Sequence, residues 1–135
     1  MRGKTALVTG STVGLGLAIS SELAAQGCNV IMTGFGDPND IEARRAAIEK
    51  DCSVRVSYIS ADLRYPAEIA RLVEEGYNTF GTIDILVNNA VWRRTPTGES
   101  GRAPPTPPLS ERYIENLPPA QWGLELAINL RPDVR

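Results

Sequence analysis

Short runs of consecutive apolar residues alternate, over the first two thirds of the chain, with longer segments in which apolar residues recur every three or four positions. Continuous apolar runs are typical of strands that are covered on both faces, and the longer spacing is typical of amphipathic helices. Strands that alternate with helices predict an α/β fold built on a parallel sheet. The predicted strands are Thr5 to Thr9, Asn29 to Thr33, Val54 to Ser60 and Ile83 to Val87.

Helices are predicted between these strands. The first runs from Leu15 to Gln26, ends at Gly27 and should turn one apolar face to the sheet. The third begins at Pro66 and ends before Gly81. The residues expected to face the sheet from the first helix are Leu15, Ile19 and Leu23.

The second predicted helix begins at Pro38, with Asp37 as its N-cap residue. We expect one side of this helix to pack on the sheet through Ile41, Ala47 and Ile48. The opposite side should be a solvated charged face, made of Glu42, Arg44, Arg45 and Glu49.

Right-handed crossovers place four such strands in the order 3-2-1-4. The predicted fold is therefore a Rossmann-type, doubly wound parallel sheet, truncated after the fourth strand and one further helix that follows Pro118. In a sheet that stops there, residues 85–87 would lie on an uncovered edge and favour association.

A glycine-rich turn joins the first strand to the first helix. Gly10 would leave the strand with a positive φ, Gly14 would let the backbone approach a pyrophosphate, and Gly16 would let the helix pack close to the sheet. The free N–H groups and the dipole of the helix would face the phosphates. The turn predicts a dinucleotide site, and a tight turn that binds nothing is the alternative.

Composition narrows the function classes further. The chain has 135 residues, a net charge of -2 and 42% hydrophobic residues, which predicts one partial domain and no nucleic-acid partner. No apolar run approaches the ~18 residues of a membrane span, and a first strand near Thr5 leaves no room for a leader, so we expect a cytoplasmic protein without a membrane partner.

The absence of histidine excludes Ser/His/Asp triads and imidazole metal sites, and no metal site is predicted. The two cysteines, Cys28 and Cys52, should be reduced.

Several short motifs together resemble the short-chain dehydrogenase/reductase family. They are TGSTVGLG at residues 9–16, Asp-Leu at 62–63, Asn-Asn-Ala at 88–90 and Asn129 in a later helix. Within the family, residues 3–12, 33–38 and 61–63 are similar to those of 3-hydroxybutyrate dehydrogenases. The resemblance covers residues 2–91 and resumes around 114–130.

The resemblance implies a Rossmann-type domain that binds NAD and transfers hydride to or from a small hydroxy acid. The pyrophosphate and ribose would lie on the glycine turn, the adenosine near Phe35, and the adenine edge against Asp62 and Leu63. The residues implied in cofactor binding are Gly10, Thr12, Gly14, Leu15, Gly16, Phe35, Asp62, Leu63, Asn89 and Ala90.

Charge distinguishes a site for NAD from a site for NADP. A 2′-phosphate needs a nearby Arg or Lys, and residues 34–37 after the second strand contain neither. The sequence therefore favours NAD. The carboxylate that usually accepts the ribose hydroxyl is missing from the strand end, and Asp37 follows slightly later.

The catalytic set of the family is largely absent. The family uses a tyrosine four residues before a lysine, whose ammonium group stabilises the phenolate. No tyrosine of this chain has a lysine four positions later, and its lysines are Lys4 and Lys50. Asn129 is the one residue that matches the family's catalytic set, and Val91 stands where the family has a glycine. We expect the isolated chain to be inactive.

Residues 92–112 are rich in proline and glycine and are predicted to be a disordered insertion. A polyproline II ligand within residues 104–108 is the alternative interpretation of this segment.

The sequence thus leaves more than one function open. The chain resembles part of an NAD-dependent 3-hydroxybutyrate dehydrogenase, with another enzyme of the family, such as a 3-ketoacyl reductase, as the enzymatic alternative. It could also be a non-catalytic NAD-binding module that forms a homo-oligomer or pairs with a complete subunit. The remaining hypothesis is an interaction protein that works through the proline-rich segment.

Overall fold

The computed structural model of the chain describes residues 1–91, and residues Met1–Ala90 form one compact unit. The predicted insertion at 92–112 and the helix expected around Asn129 lie outside the described residues. The elements, in chain order, are β1 (Thr5–Thr9), α1 (Gly14–Ala25), β2 (Asn29–Thr33), α2 (Pro38–Cys52), β3 (Val56–Tyr58), α3 (Pro66–Phe80) and β4 (Ile85–Val87).

The strands form a four-stranded parallel sheet in the order β3-β2-β1-β4. Ala6 of β1 is in register with Val30 of β2 on one side and with Ile85 of β4 on the other. The α/β class, the Rossmann-type topology and the strand order 3-2-1-4 are therefore confirmed.

Two hydrophobic clusters cover the two faces of the sheet, because successive residues of a strand point to opposite faces. Val8 and Met32 pack on the side of α1 and α2, whereas Leu7 and Ile31 pack on the side of α3. The buried helical residues in these clusters are Ala24 of α1, Ile48 of α2 and Leu72 of α3.

The face of α1 that packs on the sheet differs from the prediction. Leu15 is 71% exposed, whereas the buried residues of α1 are Gly16, Ser20 and Ala24. These small residues recur every four positions and let the helix axis approach the strands closely. Ile19 and Leu23 lie at the sides of this contact, partly buried against the cluster. The assignment of Leu15 to the core face was wrong.

The faces of α2 also need correction. Ile41 and Ile48 are buried as predicted, but Ala47 is exposed. The charged side is not simply solvated, because the Arg45 side chain is only 19% exposed and Arg44 contacts the glycine turn. Sequence spacing alone could not reveal which basic side chains of the helix reach neighbouring elements.

Two strands are shorter than predicted. β3 covers Val56–Tyr58 and β4 covers Ile85–Val87, so the flanking residues do not belong to the ladder. Before β4, the carboxylate of Asp84 accepts hydrogen bonds from the Thr5 N–H at 2.9 Å and from Lys4 Nζ at 2.8 Å. This contact aligns the start of β4 with the start of β1.

The outer edge of β3 is protected by side chains of α2. Arg45 Nη1 donates to the carbonyl oxygen of Val56 at 2.9 Å, and the Val56 N–H donates to Glu49 Oε1 at 3.1 Å. Arg45 Nη1 also donates to Glu49 Oε2 at 2.6 Å. Since an unpaired strand edge invites pairing with another chain, this arrangement blocks the edge at Val56.

Three absences hold for residues 1–91. No helix there is both long and apolar enough to cross a membrane. No group of three or more potential metal-ligating side chains occurs within the same residues. Cys28 and Cys52, both within this range, are free thiols.

The Glu49 contact predicts an acid-sensitive contribution to stability. Hydrogen bonds from Arg45 and then from the Val56 N–H lower the pKa of Glu49 below its ordinary value of 4.5. A carboxyl group with a lowered folded-state pKa stabilises the fold above its unfolded pKa, and this contribution is lost as the pH falls through the folded-state pKa. Glu49→Gln should reduce the free energy of unfolding at pH 7 by up to about 1 kcal/mol and should make it less dependent on pH below 4.5.

Urea unfolding at pH 7 and pH 3 measures both effects. Glu74→Gln, on the exposed side of α3, is the matched control and should leave the pH dependence unchanged. Equal pH dependence of Glu49→Gln and the wild type would contradict the role of this contact.

Candidate nucleotide-binding site

The candidate site lies where β1 passes through the glycine turn into α1, at the carboxyl edge of the sheet. β2 and β3 lie on one side of β1, and β4 lies on the other. In open α/β sheets, ligands bind in the crevice beyond the carboxyl ends of the strands, at the point where the strand order reverses. Here that point lies between β1 and β4.

The glycine turn is packed too closely for side chains at two positions. Gly10 has a φ of +64°, and a Cβ added there would lie 2.9 Å from the Ala90 Cα atom. A Cβ at Gly16 would collide with the carbonyl oxygen of Gly10 and with the side-chain amide of Asn89. These are the positive φ and the close helix packing that the sequence predicts for Gly10 and Gly16.

Asn89 braces the glycine turn from the end of β4. Its side-chain Nδ2 donates to the carbonyl oxygens of Thr9 at 2.9 Å and of Gly10 at 3.1 Å. The Thr9 hydroxyl oxygen accepts the N–H groups of Asn89 and Ala90, each at 3.0 Å. The sequence predicted that Asn89 and Ala90 lie at the site, but it did not reveal Thr9 as the residue that links the ends of β1 and β4.

A second set of contacts ties the turn to the segment after β2. The Thr12 hydroxyl donates to the carbonyl oxygen of Phe35 at 2.7 Å, and Arg44 Nη1 donates to the carbonyl oxygen of Thr12 at 2.8 Å. Ser11 and Thr33 exchange further hydrogen bonds, with the Thr33 N–H 3.0 Å from Ser11 Oγ. Sequence reasoning missed Arg44, since its spacing in α2 indicated only a solvated face.

The N-terminus of α1 has no side-chain cap. Its N-cap residue is Val13, and the first turn contains no acidic residue. α2 is different, because the Asp37 carboxylate accepts the N–H groups of Asn39 at 2.9 Å and Asp40 at 3.3 Å. The free N–H groups and the positive end of the dipole of α1 are therefore available to an anion.

Three apolar side chains on the turn, on the first turn of α1 and after β2 are exposed. Val13 is 55% exposed, Leu15 is 71% exposed and Phe35 is 61% exposed. Apolar residues exposed together are typical of a binding surface. The combination of free N–H groups with apolar side chains suits a ligand that carries both phosphates and rings.

Asp62 and Leu63 follow β3. Arg64 Nε donates to both carboxylate oxygens of Asp62, at 2.9 and 3.0 Å, and hydrogen bonds from Arg64 lower the pKa of Asp62 below its ordinary value. Leu63 is partly buried against the cluster on the α3 side. Within residues 1–91 no hydrogen bond joins Asp62 to the glycine turn, although the two lie at the same edge of the sheet. Sequence reasoning did not anticipate the pairing with Arg64.

The structure therefore gathers most of the predicted residues around one turn. Thr12, Gly14 and Leu15 lie on the turn and the first turn of α1, next to the braced pair Gly10 and Gly16. Phe35 is joined to the turn through its backbone. The catalytic candidate Asn129 lies outside the described residues.

Comparison with known proteins agrees with this geometry. The family model of the short chain dehydrogenases matches residues 4–117, and the chain belongs to this family. The chain is 41% identical over 130 residues to a D-beta-hydroxybutyrate dehydrogenase of Cupriavidus necator, an alignment that covers 96% of this chain and 43% of that protein. The chain thus spans less than half the length of this relative.

Solved structures of short-chain dehydrogenases are also similar to this chain. A putative short-chain alcohol dehydrogenase from Sinorhizobium meliloti superposes with a TM-score of 0.73 at 28% identity, covering 96% of this chain and 44% of the other. A metagenomic short-chain oxidoreductase in complex with NADP superposes with a TM-score of 0.69 at 26% identity, covering 96% and 51%. The family uses nicotinamide cofactors, and the candidate site lies where the fold binds dinucleotides.

The brace by Asn89 generates a prediction about stability. Asn89→Ala removes the hydrogen bonds to the Thr9 and Gly10 carbonyl oxygens and should lower the free energy of unfolding by about 1–2 kcal/mol. Asn88→Ala removes the neighbouring exposed amide and should change it by less than about 0.5 kcal/mol. Chemical denaturation of the two variants measures the difference. Equal effects would show that the Asn89 amide does not brace the turn.

Proposed function

We propose that the chain provides the cofactor-binding part of an NAD-dependent oxidoreductase that acts on 3-hydroxybutyrate or a similar small hydroxy acid. The observation that carries this proposal is the uncapped N-terminus of α1, which follows a braced glycine turn at the reversal of the strand order. The choice of substrate is supported by the identity with the D-beta-hydroxybutyrate dehydrogenase.

The residues of the turn suit a dinucleotide. Among residues 1–91, apart from the chain neighbours of Gly14 and the backbone of α1, no atom lies within 4 Å of the position that a Cβ of Gly14 would occupy, so backbone can meet a pyrophosphate there. The free N–H groups at the start of α1 bind the phosphates, and Thr12 and Leu15 flank them. Phe35 would lie near the adenosine, and Asn89 and Ala90 would back the adenine ribose and the bridge toward the nicotinamide. When bound, the nicotinamide accepts or supplies the hydride.

Asp62 and Leu63 form the adenine end of the proposed site. The Asp62 carboxylate would accept the adenine amino group, and Leu63 would hold the edge of the ring with it. Because Arg64 already donates to this carboxylate, the adenine shares Asp62 with the guanidinium group. NAD is favoured as the cofactor because residues 34–37 carry no basic side chain.

Catalysis needs groups that this chain lacks. No Tyr-Lys pair with the family spacing occurs in the 135 residues, and Asn129 alone matches the catalytic set. The isolated chain therefore binds the cofactor without oxidising a substrate. The second candidate function is a non-catalytic NAD-binding module that pairs with a complete subunit or with itself.

Calorimetric titration with NAD tests the proposed binding site. We expect the wild-type chain to bind NAD and Asp62→Asn to weaken binding roughly tenfold, because a charged acceptor of the adenine amino group is lost. Asp51→Asn removes one exposed carboxylate at the end of α2 and is the matched control. Absence of NAD binding, or equal affinities of the two variants, would contradict the proposed site.

A chimera tests the proposed chemistry. Residues 1–91 joined to the part of the Cupriavidus necator relative that follows the position aligned with Val91 should oxidise D-3-hydroxybutyrate, with NADH formation followed by absorbance. The isolated chain should form no NADH under the same conditions. Asp62→Asn in the chimera should raise the KM for NAD roughly tenfold. A correctly folded chimera without turnover would argue for the non-catalytic module.

A further inference from the structure

We propose that Arg44 is a specificity-determining residue that lets the cofactor site bind a 2′-phosphorylated dinucleotide, NADP, in addition to NAD. This inference rests on the proposed cofactor site and extends it to the adenosine ribose. Residues 34–37 carry no basic side chain, but α2 supplies a positive charge through Arg44.

The guanidinium group of Arg44 lies beside the glycine turn. Arg44 Nη1 lies 2.8 Å from the carbonyl oxygen of Thr12, and the Thr12 hydroxyl is bonded to the backbone of Phe35. Arg44 therefore reaches the place where the glycine turn meets the segment after β2. In the dinucleotide-binding fold the adenosine ribose lies between these segments, and an Arg near it accommodates a 2′-phosphate.

The charge of Arg44 is poorly neutralised within residues 1–91. Its nearest carboxylate is that of Asp40, at 3.9 Å, and the Asp40 side chain is 67% exposed. Such an exposed pair contributes little attraction in water. Arg45 differs, because Glu42, Glu49 and the Val56 carbonyl oxygen all accept its hydrogen bonds.

Arg44 keeps donors available for a ligand. A guanidinium group has five N–H donors, and the hydrogen bond to Thr12 uses one of them. The Arg44 side chain is 37% exposed, so these donors are accessible from solvent. A planar guanidinium group is well suited to a phosphate.

The carboxylate that would oppose a 2′-phosphate is engaged elsewhere. Asp37 accepts the N–H groups of Asn39 and Asp40 and thus caps α2. It is committed to this helix terminus rather than to a ribose hydroxyl. Gly34 and Gly36 place no side chain between the turn and the ribose position. Arg44 therefore brings a positive charge to this position, beside the negative charges that Asp37 and Asp40 keep.

A purely structural role of Arg44 makes a different prediction. If Arg44 only held the Thr12 carbonyl oxygen, its loss would weaken all adenine nucleotides to the same extent. If Arg44 contacts the 2′-phosphate, its loss weakens the binding of only those nucleotides that carry this group. The ratio of the affinities for two nucleotides distinguishes these roles.

Calorimetric titration of the full 135-residue chain with 5′-AMP and with adenosine 2′,5′-bisphosphate measures this ratio, and NAD and NADP serve as the complete cofactors. We expect the wild-type chain to bind both nucleotides. Arg44→Gln should lower the affinity for the bisphosphate, relative to 5′-AMP, about tenfold, because one charge-assisted contact is lost. Arg44→Lys keeps the charge and should restore part of the ratio. Lys50→Gln removes a positive charge from the last turn of the same helix and should leave the ratio unchanged.

The salt dependence and a melting curve complete the test. Added salt should weaken the binding of the bisphosphate more than the binding of 5′-AMP in the wild type, and this difference should shrink in Arg44→Gln. Melting curves show whether each variant is folded. An equal loss for both nucleotides, or binding of 5′-AMP without the bisphosphate, overturns the role of Arg44. Absence of binding of both nucleotides overturns the cofactor site itself and this inference with it.

Discussion

The close approach of α1 to the end of β1 is the constraint on which the rest of the structure depends. At Gly16 the helix comes so near to the strand that any side chain would meet the Gly10 carbonyl oxygen. The same carbonyl oxygen accepts the Asn89 amide, which joins the ends of β1 and β4. The approach therefore selects small residues on the helix, positions the turn, and fixes the crevice where the strand order reverses.

This approach also accounts for the different N-termini of α1 and α2. α1 begins directly at the turn with a valine N-cap and without an acidic residue, whereas α2 is capped by Asp37. A side-chain cap on α1 would occupy the N–H groups that a phosphate needs. The glycine turn leaves α1 uncapped, and Arg44 adds positive charge beside it. A helix N-terminus and a guanidinium group thus lie side by side at the site, although the chain has a net charge of -2.

The sequence predicted the elements that are determined by local pattern. Apolar runs, the caps at Asp37 and Gly81 and the glycine turn are signals within a few residues, and the strand order followed from the handedness of crossovers. The face of α1 that packs on the sheet could not be predicted in the same way. Gly16, Ser20 and Ala24 form its buried face but carry almost no hydrophobic signal, so Leu15 was placed in the core instead.

Contacts between distant residues were missed for a related reason. Arg44 reaches Thr12, and Arg45 protects the edge of β3, only because α2 packs beside both elements. The Thr9 hydroxyl was not considered, since its partners lie about 80 positions away. The role of Asn129 and the state of residues 92–112 stay predictions, because both lie outside the described residues.

The features that suit the site to a cofactor oppose the stability of the free chain. An uncapped helix terminus forgoes the ~1 kcal/mol that a capping side chain contributes, and Leu15 and Phe35 expose apolar surface to water. A dinucleotide bound at the proposed site would satisfy the N–H groups and cover these side chains. Because a ligand that binds only the folded state adds RT ln(1 + [L]/Kd), about 2.7 kcal/mol at a hundredfold excess over Kd, the proposed cofactor would raise the free energy of unfolding of this chain.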